Sequence, residues 1–371
     1  MKKIISAVCA AVLLLCGCTA EQSESKVQAE STVFEDTKYG AAYVSLSQEE
    51  FEECGFTLGD SVDITFAEGE SITDVPYYNG YYVKNGSPVL VAYPGFDNIS
   101  ITYNNLGIWE SAGLSEGDTV TITLNTKGKY SAIQESLGQV YSFDRNQYTS
   151  DVQFCNFRAL SGGSLKENFL YRGASPVDNS RGRASYTDGL LEENGIAFVL
   201  DLADTEEDMQ SYLSGDFHSP YTKSLYEAGN AALLGMGSSY TSDIYKQKLA
   251  AGLKQMINSD GPVYIHCMEG KDRTGFVCML LEALAGADYE EMRADYMITY
   301  KNYYSVDPEE TPEKYEAITE LYFDAFLTCL NGTEDQEELK NASYTEDAAA
   351  YLIQGGMSED EIEQLKAMIT K

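Results

Sequence analysis

Histidine is nearly absent from this chain: it has two, His218 and His266, in 371 residues. Neither has cysteine or histidine neighbours at metal-ligand spacing, so no structural or catalytic zinc is expected and no cofactor is implied. Basic residues are scarce as well. Lys and Arg total 25 against 59 Asp and Glu, a formal net charge of −34, which argues against a nucleic-acid partner and against electrostatic adhesion to anionic lipid. Most of that acidity reads as solubility. Cysteine pairing is also missing. Of eight cysteines, Cys9 and Cys16 fall in the stretch expected to leave as an export signal, residues 1–17, and Cys18 follows it. Cys54, Cys155, Cys267, Cys278 and Cys329 remain, an odd number without a C-x-x-C pair, so at least one thiol stays free. Such usage fits a reactive thiol better than a disulfide scaffold. The one long apolar run, Ile4 to Leu15, is too short to cross a bilayer as a mature helix.

That run does have the flanks of an export signal. Met1-Lys-Lys3 is positively charged, and Leu15-Cys-Gly-Cys18 resembles a lipobox. The expectation is a signal peptide over residues 1–17 and a diacylglycerol on Cys18. This would tether the protein to the extracytoplasmic face of a bacterial cell membrane through acyl chains that together anchor stably. The rival expectation is an ordinary signal peptide cut near Ala20. Residues 18–38 are polar, with few aromatic or branched side chains, and read as a flexible stalk.

From residue 39 to 142 the composition turns to Tyr, Val, Ile, Thr and Gly. Short alternating runs, among them Ser61-Val-Asp-Ile-Thr-Phe66, Pro88-Val-Leu-Val-Ala-Tyr93, Ile99-Ser-Ile-Thr-Tyr103 and Thr119-Val-Thr-Ile-Thr-Leu124, predict a small β domain. Gly55-Phe-Thr-Leu-Gly-Asp-Ser-Val-Asp-Ile64 is echoed by Gly113-Leu-Ser-Glu-Gly-Asp-Thr-Val-Thr-Ile122, which suggests an internally repeated barrel. Asp60 and Asp118 in these repeats read as turn formers rather than ligands. The pattern, with Asp74-Val-Pro76 and Asn104-Asn-Leu-Gly107 between the copies, faintly resembles the C-terminal β-barrel of the adenosyl-chloride or hydroxide adenosyltransferases. A barrel fold is inferred from that likeness, and no activity.

The remaining stretch, 143–371, contains the most informative residues in the chain: His266-Cys-Met-Glu-Gly-Lys-Asp-Arg-Thr274. The apolar run Pro262-Val-Tyr-Ile265 before them suits a buried strand, and Gly275 to Ala285 after them suits a helix closed by Gly286. Five residues between Cys267 and Arg273 allow the backbone of Met268, Glu269, Gly270, Lys271 and Asp272 to curl into a cup. Its N–H groups and the following helix N-terminus favour an anion at the centre. At the floor of that cup the Cys267 thiol, normally near pKa 8.5, falls toward the roughly 3.5–7.5 range of activated cysteines. Arg273 supplies a planar fork for two phosphoryl oxygens. Thr274 can donate its hydroxyl to the departing sulfur, and His266 can orient the loop.

This string resembles the signature of the protein tyrosine phosphatase superfamily. Its Lys271-Asp272 pair is most similar to bacterial tyrosine phosphatases whose members also act on phosphoserine, phosphothreonine or phosphoinositides. The resemblance implies an α/β domain with a central, mostly parallel sheet flanked by helices. It extends to Asn156-Phe157-Arg158 and Leu170-Tyr-Arg-Gly-Ala-Ser-Pro176, which implies phosphate-side roles for Arg158 and Arg172, although Ala159 and Ala203 depart from the family pattern. Asp295-Tyr296-Met297 and a last helix opened by the capping box Ser358–Glu361 fall where such a domain has helices.

The general acid is open at this level. No Trp-Pro-Asp-like loop is visible. The resemblance implies Asp272; Asp204, beyond the buried run Ile196–Leu202, and Asp216 are rivals on loops of suitable reach. Lys271 either reads extra phosphates or faces solvent, and Arg181 and Arg183 are further candidates for a positive pocket. The function these readings imply is hydrolysis of phosphotyrosine, with phosphoserine and phosphothreonine as further substrates, through a cysteinyl phosphate. The alternatives are a phosphoinositide or inositol polyphosphate phosphatase and a non-catalytic module that captures phosphorylated ligands. Nothing in the sequence fixes an oligomeric state.

Overall fold

The computed structural model describes residues 27–67, 71–138 and 141–371. Cys18 and the export segment lie outside the described residues. Among those that are described, no helix is long and apolar enough to cross a membrane.

The first portion is a closed seven-stranded barrel, built from β1 (Gln28–Asp36), β2 (Ala41–Ser47), β3 (Ser61–Phe66), β4 (Ser71–Tyr78), β5 (Pro88–Val91), β6 (Asn98–Tyr103) and β7 (Thr119–Thr126) in the order β1-β2-β6-β5-β4-β3-β7. Closure needs β1, and so the stalk expected over residues 18–38 is corrected from Gln28 onward. Gln28–Thr32 pair with β7 and Val33–Asp36 with β2. The strand is polar because only one face enters the core: Ala29 and Val33 are buried while Gln28 and Glu30 stay exposed. The two Gly-Asp repeats feed β3 and β7, which pair side by side and antiparallel. In each repeat the aspartate accepts the N–H three residues back, Thr57 to Asp60 at 2.7 Å and Ser115 to Asp118 at 2.8 Å, so both close turns.

Alternation places Val62, Ile64, Ile99, Ile101, Val120 and Ile122 in the barrel interior. On β5 the same alternation has a second use. Leu90 enters the barrel core, whereas Val89 and Val91 join the core of the second portion, together with Tyr78, Tyr82 and Leu137. β5 is therefore buried on both faces, and the barrel is packed against the rest of the chain.

The second portion is helix-rich around a five-stranded sheet ordered β11-β10-β12-β9-β8. Its strands are β8 (Arg158–Ala159), β9 (Leu170–Gly173), β10 (Phe198–Asp201), β11 (Ala231–Leu233) and β12 (Val263–His266). All pairs are parallel except β8 with β9. Central β10 and β12 are continuous apolar runs because helices cover both faces. The helix Asp272–Leu284 follows β12, is buried almost throughout, and ends at Gly286, whose φ of 82° needs no Cβ. Its N-terminus and the C-terminal end of β12 meet at the loop containing Cys267.

Candidate active site

The loop from Cys267 to Lys271 turns its carbonyls outward and ties each one down. Cys267 O faces His266 Nδ1 at 3.2 Å, Met268 O accepts the Ser175 N–H at 3.0 Å, and Glu269 O accepts the Tyr303 hydroxyl at 3.0 Å. Gly270 O accepts from Asn156 Nδ2 at 3.2 Å and Arg172 Nη2 at 2.9 Å; Lys271 O accepts the Gly275 N–H at 2.8 Å. No peptide in the described chain is cis. In a planar trans peptide the N–H opposes its carbonyl, so the amides of Met268 through Asp272 turn to the concave side. The curl depends on Gly270, which has φ 68° and lies so close to Gly173 that a Cβ would meet the Gly173 carbonyl oxygen at 2.2 Å.

Cys267 sits in this cup, 4% exposed. Burial by itself would push its thiol up. The Arg273 guanidinium, then the Thr274 hydroxyl and backbone N–H, outweigh burial and hold it below the ordinary thiol range. Cys155 and Cys278 are equally buried, have no such neighbours strong enough, and are pushed up, Cys155 to about 11. None of the five described thiols is paired. His266 is buried behind the loop, stacked on Tyr264, and burial lowers it to about 4, so it orients the Cys267 carbonyl as a neutral ring.

A cavity of about 180 Å³ opens in front of Cys267. Met268, Glu269, Lys271, Asp272 and Arg273 share its lining with Cys267, while Gly270 and Thr274 shape the loop from outside the lining. Asp272 is half exposed there, with Lys271 Nζ 3.6 Å from its carboxylate. The other two acid candidates are elsewhere. Asp204 is buried beside Lys38, which stands 3.6 Å away, and accepts the Tyr212 hydroxyl; burial pushes its pKa up to about 7. Asp216 is exposed in a separate depression with Phe217 and His218.

The phosphate-side roles implied for Arg158 and Arg172 are corrected. Both guanidiniums lie behind the loop and converge on Asp295, Arg158 Nε at 2.7 Å and Arg172 Nη1 at 2.6 Å. Arg172 then reaches the Gly270 carbonyl, so the pair supports the cup and neither lines the cavity. Arg181 and Arg183 likewise stand outside the cavity lining. Arg181 lies over the rings of Phe96 and Phe143 and donates to the Pro94 and Gly95 carbonyls; Arg183 donates to the Phe154 carbonyl among the rings of Tyr141, Phe154 and Tyr303. Lys271 is neither free in solvent nor simply presented to the cup. Its ammonium lies within 6.0 Å of the ring centres of Tyr93, Tyr300, Tyr304 and Tyr322, an aromatic cage that keeps a cation at low hydration.

Missed residues come from both portions, Tyr240, Tyr304 and Tyr322 from the second and a row of rings from the barrel. Tyr39, Tyr43, Tyr81, Tyr93 and Phe96 line the cavity from β2 and from the β1–β2, β4–β5 and β5–β6 connections. Ser100 and Thr102 of β6 point the same way and are 5% exposed, buried although they face away from the barrel core. The one sequence signal for this wall was the count of 28 tyrosines against 14 phenylalanines, since a buried Tyr keeps a polar tip in use. Among the described residues no cluster of His, Cys, Asp and Glu is arranged to hold a metal ion.

The model of the tyrosine phosphatase family matches residues 153–371, which contain the whole cup and its supports. No curated protein matches. Solved structures similar to parts of the chain include an uncharacterized conserved protein from Thermotoga maritima, at 15% identity over 29% of this chain and 42% of that one, with a TM-score of 0.23. This chain therefore spans less than half of that protein. Another is P. aeruginosa TpbA, at 17% identity over 57% of this chain and 96% of that one, with a TM-score of 0.21.

Proposed function

Since the chain belongs to the tyrosine phosphatase family, we propose that it hydrolyses aromatic phosphomonoesters, phosphotyrosine foremost, at Cys267. The observation that carries this reading is the cup itself: five outward-tied carbonyls, amides turned inward, and a thiol held low by Arg273. In the first step the Cys267 thiolate attacks phosphorus and the P–O bond to the leaving group breaks. Arg273 and the loop amides hold the non-bridging oxygens, and Asp272 gives its proton to the leaving oxygen. In the second step water attacks phosphorus and passes a proton to the Asp272 carboxylate. The S–P bond then breaks, with the Thr274 hydroxyl donating to the departing thiolate. No metal is required by these steps.

Two features favour a singly phosphorylated aromatic ester over an inositol polyphosphate. The cavity wall is made of rings, and its charged lining is Lys271 and Arg273 against Asp36, Glu269 and Asp272. A ligand with several phosphates would find two cations in that lining, Lys271 and Arg273, to pair with them. The intact Cys267, Arg273 and Thr274 favour turnover over mere capture of a phosphorylated ligand. We also propose that Cys18 is acylated and that the enzyme works on the extracytoplasmic face of the bacterial membrane, a reading supported by Leu15-Cys-Gly-Cys18.

The test is vanadate-sensitive, EDTA-insensitive release of phosphate by residues 21–371 from phosphotyrosine and phosphoserine peptides, phosphoinositides and inositol polyphosphates, beside a Cys267→Ser control. Phosphotyrosine is expected to lead. A preference for polyphosphates overturns the substrate reading, and undiminished turnover by the control overturns the mechanism. For the anchor, Cys18→Ser is expected to move the full chain from the membrane fraction to the soluble one.

A further inference from the structure

Arg273 carries five N–H donors in a rigid plane, so what holds one edge decides where the other points. One η nitrogen donates to the Met236 carbonyl at 2.8 Å and the other to the Tyr39 hydroxyl at 2.7 Å. Among the described residues the Nε–H has no protein acceptor, and each η nitrogen keeps a second hydrogen. The Nε–H together with one of these hydrogens can grip two oxygens of one oxyanion in parallel.

Tyr39 belongs to the turn between β1 and β2, 234 residues from Arg273. The turn is built to hold it there. Asp36 closes it by accepting the N–H groups of Lys38 at 3.0 Å and Tyr39 at 3.2 Å, and Lys38 reaches across to Asp204 at 3.6 Å. The Lys38 carbonyl lies against Gly237, where a Cβ would come within 3.3 Å of it, so the turn rests on the segment that also offers the Met236 carbonyl. The Tyr39 ring is 5.4 Å from the guanidinium carbon. Burial pushes the phenol to about 12, which keeps it a neutral hydrogen-bonding group.

We propose that the barrel is half of the active site and that Tyr39 is its positioning residue, holding Arg273 so that its unengaged N–H donors face the phosphoryl oxygens. The inference goes beyond the phosphatase reading, and only its turnover measurement rests on that reading. Tyr39→Phe removes one oxygen and leaves the ring in place. Loss of a hydrogen bond to a charged group corresponds to a weakening of about tenfold. That loss is expected in tungstate affinity, measured by calorimetry on residues 21–371, and in kcat/KM for a phosphotyrosine peptide, with the melting temperature unchanged. Lys38→Met removes only the side-chain contact with Asp204, while Asp36 still closes the turn through the two backbone N–H groups, and is expected to keep tungstate affinity within about twofold. Tungstate affinity unchanged in Tyr39→Phe, or an equal loss in Lys38→Met, overturns the role of Tyr39. A chain that turns over no ester while Tyr39→Phe still weakens tungstate overturns the phosphatase reading and leaves the clamp standing.

Discussion

Replacing Asp295 with Asn is expected to unlock the cup from behind. The Asp295 carboxylate is 5% exposed and faces two buried guanidiniums, Arg158 at 2.7 Å and Arg172 at 2.6 Å. Removing one partner of such a buried group costs about 3–5 kcal/mol, because the remaining charges are left without compensation. One group can offset part of the loss. Glu282 is buried beside the trio with one oxygen unpartnered. Burial first, and then the Asp295 charge, raise its pKa and keep it protonated. Once Asp295 is neutral, Glu282 can ionise and stand in as counter-ion, so the single change should sit near the low end, about 3 kcal/mol. Asp295→Asn with Glu282→Gln should reach the high end, about 5 kcal/mol. At roughly 2–4 °C per kcal/mol for a domain of this size, the melting temperature falls by roughly 6–12 °C in the first variant and further in the second. The pH dependence has a definite sign. Asp295 is held below its ordinary value despite burial, by Arg158 and then Arg172. Its contribution is therefore present above the ordinary Asp value and is lost as pH falls through its folded value. The gap between native and single variant narrows on acidification for that reason, and narrows again above the ordinary Glu range as Glu282 ionises in the variant. Urea titrations across pH, with tungstate binding alongside, measure all of this. If Arg158 and Arg172 were phosphate ligands, freeing them from Asp295 would tighten tungstate binding; tighter binding at unchanged stability refutes the brace.

The same residues show what a sequence can and cannot disclose. The cup was legible because its chemistry is contiguous: nucleophile, amides, cation and helix start all fall within nine residues, and their spacing is the mechanism. The runs around Val263–His266 and Phe198–Asp201 were legible because a buried parallel strand must be apolar on both faces. Arg158 and Arg172 were misread because residue type survives in a motif while the role depends on Asp295, 123 positions beyond Arg172, which in sequence is an ordinary helix residue. β1 was misread as stalk because a barrel strand whose core face holds only Ala29 and Val33 has the composition of a solvated linker. Tyr39 had no local signature at all. Its meaning comes from the barrel docking β5 and its own turn against the second portion, a contact between surfaces that periodicity along either strand does not encode.

Further outcomes follow from the geometry of the cavity. Gly270→Ala should abolish turnover in a folded protein, since its Cβ would lie 2.2 Å from the Gly173 oxygen at φ 68°; near-native kcat would show that the cup can be built another way. Asp272→Asn should lower kcat on phosphotyrosine about 10²–10⁴-fold and act far less on an ester with a strongly acidic leaving phenol. Equal losses on both would remove Asp272 from the role of acid. Iodoacetamide should alkylate Cys267 with a midpoint below about 8.5, and Arg273→Ala should raise that midpoint; no change would mean that Arg273 does not set the thiolate. Glu269 supplies a pH limb of its own. It lines the cavity and pairs with the Tyr141 hydroxyl, with Arg181 at 3.7 Å. Burial pushes its carboxyl up to about 7 against the pull of Lys271. A raised folded value means that its contribution to stability is full below the ordinary Glu value and is lost as pH rises through about 7. The same ionisation places a carboxylate beside the incoming phosphate dianion. KM for phosphotyrosine should therefore climb above about pH 7, with kcat little changed, and Glu269→Gln should flatten that climb while leaving the acid limb set by Cys267. A KM profile that keeps its climb in Glu269→Gln would assign the limb to another group and leave Glu269 a support of the loop alone.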